Sequence, residues 1–138
     1  MDMKRLIVGS IAGLVAMYVV GHVIWEMLLV DFFAANAGSA QGVGREEQIL
    51  WPILVGTLCY AVLVTQTIEA RSGEKSPIDG LKSGAVVGLL LWGTVDFMFY
   101  GYFNLNNLTA VIADIVLEGV RGGIGGAVIA LVLGKVGN

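Results

Sequence analysis

The sequence predicts an all-α protein: a bundle of four transmembrane helices with both termini on the cytoplasmic side. Three observations predict it. Hydrophobic residues make up 57% of the 138-residue chain and charged residues only 14%. Mean hydropathy is +0.82. The apolar residues also fall into four runs, each near the ~20 residues a helix needs to cross a bilayer.

The runs cover 6–30, 49–68, 81–103 and 108–136 and form a single domain over 1–138. The first follows Lys4-Arg5. Such a start also fits a signal peptide, with Ala35-Asn36-Ala37 or Gly38-Ser39-Ala40 as its cleavage site, but the run is longer than a typical h-region and contains His22 and Glu26. It is read as a retained helix. A polar loop over 31–48 leads to the second run, which opens at Trp51-Pro52, where a first-turn proline forfeits no hydrogen bond. The charged loop 69–79, with Pro77, precedes the third run. The short turn Asn104-Leu105-Asn106-Asn107 makes the third and fourth runs an antiparallel hairpin.

Orientation follows from the basic residues, which are retained on the cytoplasmic side. Lys4, Arg5, Arg71, Lys75, Lys82 and Lys135 collect on one side, Arg45 stands alone on the other, and Arg121 lies within a span. The 31–48 loop and the 104–107 turn then face outward. The glycine pairs Gly9/Gly13, Gly84/Gly88, Gly119/Gly123 and Gly122/Gly126 sit four residues apart inside the spans, the spacing at which helix backbones approach closely in lipid.

Several function classes are excluded. With a net charge of -3 and no basic run beyond Lys4-Arg5, the chain has no electrostatic footprint for nucleic acid. The single cysteine, Cys59, rules out an intramolecular disulfide or a multi-cysteine metal site and reads as a small buried apolar side chain. Gly134-Lys135 lacks the remainder of a P-loop, and neither a His-Glu-x-x-His motif nor a Gly-x-Ser-x-Gly elbow is present. Asn107-Leu108-Thr109 matches a glycosylation sequon but abuts a span. Trp25, Trp51 and Tyr102 fall near the outer ends and read as an interfacial aromatic belt.

The polar residues inside the spans carry the functional expectation. On the fourth run Asp114, Glu118 and Arg121 fall within about 60° of one another on a helical wheel, with Asn107 on the same stripe at its outer end. Tyr18, His22 and Glu26 recur every four residues on the first run, with Trp25 beside them. Trp92, Asp96 and Tyr100 do the same on the third. Ionisable groups at mid-membrane cost at least ~2.5–3.5 kcal/mol each, so they face a bundle interior or a wet cavity. Four carboxylates opposed by one arginine require protonation, water or a bound cation.

The resulting expectation is a polar pocket in the outer half of the membrane that binds or transports a proton, a metal ion or a small cationic solute. His22, Glu26, Asp96, Asp114 and Glu118 form its ligand face, with Tyr100 and Asn107 at its edge and Arg121 as counter-ion. A metal would use His22, Glu26, Asp114 and Glu118. No cofactor is indicated. The structural alternative is that Arg121 pairs with Glu118 or Asp114 while Asp96 and Glu26 bond Thr57 and Tyr60, the network merely fixing helix register. Two further classes stay open: a non-catalytic accessory subunit of a larger membrane complex, and a membrane enzyme acting on a lipid or quinone with Asp114 and Glu118 as acid and base. The enzyme is the weaker, since no nucleophile is in evidence. The partners expected are the lipid bilayer and, because four short spans enclose little volume, further copies or a larger complex.

The hairpin Tyr100-Gly101-Tyr102-Phe103-Asn104-Leu105-Asn106-Asn107-Leu108-Thr109, followed by Ile112-Ala113-Asp114-Ile115, resembles a family of uncharacterised bacterial four-helix membrane proteins. Their third span ends in a similar tyrosine-containing, asparagine-leucine-threonine-like turn, and an aspartate follows early in the fourth. His22 to Phe33 is similar in kind to the family's acidic-plus-tryptophan end of helix one, with His22-x-x-Trp25-Glu26 in place of its Asp-x-x-Trp. The resemblance implies the four-helix architecture, a bacterial inner membrane and importance for Asn107 and Asp114.

Overall fold

Three of the long helices begin where the sequence offers a side-chain cap. In the computed structural model, which describes residues 2–71 and 75–136, helix α1 (Met3–Gly21) starts at Asp2, whose carboxylate accepts the Lys4 N–H at 2.9 Å. The helix continues as a π-helical segment, His22–Leu28, whose wider turn is closed by the Leu29 N–H donating to the Ile24 carbonyl. A short helix α2 (Val30–Ala35) follows, then α3 (Leu50–Glu69), α4 (Pro77–Tyr102) and α5 (Leu108–Leu133). Ser76 and Asp79 form a reciprocal capping box with Pro77 in the first turn of α4. Asn107 caps α5 by accepting from the Ala110 N–H.

The segments Met3–Leu28, Leu50–Glu69, Pro77–Tyr102 and Leu108–Leu133 are long and apolar enough to cross a membrane. Their bounds correct the sequence reading in detail. The Ser76 box starts α4 ahead of the expected 81, and α2 occupies the beginning of the expected polar loop. The middle of the charged loop, 72–74, lies outside the described residues. Cys59, expected to be buried, is exposed on α3.

Helices α4 and α5 make the closest pair, because glycines remove the side chains between them. A methyl group added at Gly80, Gly84 or Gly88 would strike the backbone carbonyl of Gly126, Gly122 or Glu118, respectively. The descending order of partners is that of an antiparallel hairpin. Gly9 on α1 meets Thr65 and Leu133, and Gly13 meets Ala61 and Ile129, so α1 lies against both α3 and α5. A dry core of Met17, Ala61, Val64, Ile68, Ile129 and Leu133 fills the space between these three helices.

The bundle therefore has two ends. At the terminal end, the start of α1 meets the end of α3 and the end of α5. Arg5 donates to both oxygens of Glu69 at 3.0 and 3.1 Å and to the carbonyls of Leu133 and Val136, while Lys75 donates to Glu69 at 3.1 Å. At the opposite, hairpin end, the 104–107 turn is tied to the segment after α2. Gly38 and Ala40 donate to the carbonyls of Leu105 and Asn104, and Asn107 donates to that of Asn36. An isolated antiparallel bridge joins Ala37 and Asn106. These bonds tie the segment after α2 to the α4–α5 turn.

Candidate functional site

Arg121 organises the interior of the hairpin end. Its Nε donates to the Met17 carbonyl at 2.9 Å, Nη1 to Glu118 Oε1 at 3.0 Å and Nη2 to Thr57 Oγ1 at 3.1 Å, so one guanidinium ties α5 to α1 and α3. Its carbon also lies 5.8 Å from the ring centres of Trp25 and Tyr60. Gly21 permits this approach: a methyl group there would sit 3.1 Å from Arg121 Nε. Tyr60 in turn donates to the Glu118 carbonyl at 3.1 Å, bracing α5 from α3.

Glu118 is 3% exposed. One of its oxygens faces Arg121, while the other, Oε2, is buried without a hydrogen-bond partner. One turn outward, Asp114 accepts the Trp25 indole N–H at 2.6 Å, and Asp96 of α4 is its neighbour. Asp96 Oδ2 and Trp92 Nε1 are further buried polar atoms without a partner among the described residues. Buried polar groups ordinarily find partners, so each exception calls for an explanation. Three carboxyl groups cluster here around a single guanidinium, three of whose five N–H groups are bound to Met17, Glu118 and Thr57.

A cavity of about 270 Å³ opens onto this cluster, with Glu118, Asp114, Trp92 and Arg121 in its wall and His22 and Glu26 at its rim. His22 Nδ1 and Glu26 Oε2 pair at 2.9 Å, their side chains 48% and 41% exposed. The π-helical turn accounts for the division of labour on this helix. By departing from the α-helical repeat just where the polar residues begin, it turns Trp25 inward to Asp114 and leaves the His22–Glu26 pair at the edge. Trp25, read from sequence as part of an aromatic belt, is instead a hydrogen-bond donor inside the site.

The expected site residues therefore separate into groups. Asp96, Asp114, Glu118 and Arg121 come together, with His22 and Glu26 beside them. Asp96, expected on the ligand face, sits beside Asp114 and does not line this cavity, and neither does Tyr100, which is 46% exposed. Asn107 spends its side chain on the α5 cap and on Asn36, to which it donates at 3.0 Å. The proposed hydroxyl partners are reassigned: Thr57 and Tyr60 serve Arg121 and the Glu118 backbone, whereas Glu26 pairs with His22. Among the described residues no group of three or more His, Cys, Asp or Glu side chains is arranged to hold a metal ion. The expected metal set of His22, Glu26, Asp114 and Glu118 is split between rim and interior.

Sequence reasoning missed the roles of Trp25, Gly21 and Met17. The indole N–H of Trp25 and the small size of Gly21 were the available signals; a backbone carbonyl such as that of Met17 leaves none. No family model, no curated protein and no solved structure matches this chain.

Proposed function

We propose that the chain is an integral membrane protein that binds a small organic cation in the cavity at the hairpin end. Its termini face the cytoplasm, where Lys4, Arg5, Arg71, Lys75, Lys82 and Lys135 gather, so the cavity belongs to the outer half of the bilayer. The resemblance carried by residues 100–115 is the reason for assigning that bilayer to a bacterial inner membrane.

The observation that carries the reading is Glu118 Oε2, an unpartnered carboxylate oxygen on a 3% exposed residue in the cavity wall. An acceptor desolvated in this way invites a charged donor. The cavity, at about 270 Å³, has room for several non-hydrogen atoms, which a proton does not need. The split ligand set disfavours a metal ion. Indole rings in the wall add the electron-rich faces that organic cations favour. Arg121 in the cavity wall is bonded to the carbonyl of Met17, a member of the buried core, which supports binding from one side over open conduction.

The test is thermal unfolding of the detergent-solubilised protein with ethanolamine, tetramethylammonium or sodium chloride. Ethanolamine should protect the wild type, by about 2.7 kcal/mol at a hundredfold excess over Kd, and should not protect Glu118→Gln. A wild type that no amine protects contradicts the reading.

A further inference from the structure

Alongside the polar cavity lies a second space of about 420 Å³, between α3 and α4. Its walls are mainly Ile53, Gly56, Leu63 and Leu91, and it exists because α3 and α4 touch only sparsely. Ile53, Trp92 and Arg121 line both spaces, so the crevice and the polar cavity share a wall. Gly56 is exposed, and a methyl group added there would meet nothing within 4 Å. In a membrane-spanning chain this side of the crevice faces hydrocarbon.

Two residues with unpartnered groups line these spaces, Trp92 both of them and Glu118 the polar cavity, and the groups are opposite in kind. Glu118 Oε2 requires a donor, and the buried Trp92 Nε1–H requires an acceptor. An alkylammonium ion would satisfy only the first. A quaternary ammonium has no N–H and would satisfy neither. A headgroup that joins a primary ammonium to a phosphate oxygen satisfies both, and acyl chains attached to it have the apolar crevice to enter.

We propose that the occupant is an aminophospholipid of the phosphatidylethanolamine type, its ammonium on Glu118, its phosphate toward Trp92 and an acyl chain between α3 and α4. This rests on the cation-binding reading above and narrows it to a ligand that enters sideways from the bilayer. The unpartnered Trp92 N–H, which a phosphate oxygen can accept from, and the adjoining apolar space select the lipid over a water-soluble amine.

Native mass spectrometry of the detergent-solubilised protein tests it, titrating phosphatidylethanolamine, phosphatidylcholine with the same acyl chains, and free ethanolamine. Phosphatidylethanolamine should bind about tenfold more tightly than phosphatidylcholine, the ratio one charge-assisted hydrogen bond is worth. Glu118→Gln should abolish that preference, and should it fail to fold, Trp92→Phe, which removes the N–H offered to the phosphate, should weaken both phospholipids more than ethanolamine. Gly56→Phe fills the crevice without touching the polar cavity, so it should lose the lipid and keep ethanolamine. Ethanolamine binding with no preference between the two lipids would overturn the lipid assignment and leave the cation site standing. Binding of neither amine would overturn both.

Discussion

At the terminal end of the bundle one carboxylate, Glu69, lies between two cations, Arg5 and Lys75. At the hairpin end one cation, Arg121, lies among three carboxyl groups, those of Glu118, Asp114 and Asp96. The stoichiometry is reversed, and so is the degree of completion. Both Glu69 oxygens accept hydrogen bonds, and Arg5 also covers the carbonyls of Leu133 and Val136. It thereby places positive charge where the α5 dipole is negative. In the other cluster Glu118 Oε2 and Asp96 Oδ2 are left without partners. The first network is a clamp that holds three helices in register. The second contains a clamp, Arg121, together with acceptors that no described residue uses.

The comparison can be attacked from its stronger side first. Arg5→Ala removes one of the two cations on Glu69, leaving Lys75, and uncovers the end of α5, and it should cost about 2–3 kcal/mol of stability, the worth of charge-assisted hydrogen bonds. Urea or thermal unfolding in detergent checks this; a loss comparable to that of a surface mutation would mean the terminal network is not a clamp. The smallest effect belongs to the cavity rim. His22→Ala breaks an exposed pair and should change stability by at most about 0.5 kcal/mol, measured in the same way. A large loss there would show that the π-helical turn depends on the pair, and would move His22 from the rim into the framework.

How much of this was legible in the sequence depended on what each residue needed in order to be recognised. The four long helices and the glycine contacts follow from hydropathy and four-residue spacing, which are local properties. The stripe Asp114, Glu118, Arg121 was legible because a helical wheel fixes relative direction within one element. The first helix was only partly legible: a constant angle per residue carried Tyr18, His22 and Glu26 onto one face, and the π-helical segment at His22–Leu28 breaks that assumption. Asn107 shared the stripe of Asp114 by angle but sits at the N-cap, where an asparagine side chain turns back to its own helix. Partners on other helices, such as Thr57 for Arg121 or Trp25 for Asp114, depend on helix packing and leave no signal in spacing. The crevice beside Gly56 exists because α3 and α4 touch only sparsely, and no sequence pattern encodes a gap between helices.

The central claim is that Glu69 is fully used by the fold whereas Glu118 is held in reserve, and the isosteric amide tests it most directly. A glutamine can replace one acceptor oxygen of a glutamate but offers N–H groups in place of the other. At position 69 the amide meets a cation on either side, so Glu69→Gln should lose about 2–4 kcal/mol. At position 118 the amide nitrogen can take the place of the unused Oε2 while its oxygen keeps Arg121, so Glu118→Gln in ligand-free protein should change stability by no more than about 1 kcal/mol in either direction. The measurement is the unfolding free energy of the two variants side by side, in detergent stripped of lipid and amine. A large loss at 69 with near-neutrality at 118 is the predicted result; equal, large losses at both positions would make the hairpin-end cluster a structural network and contradict the account.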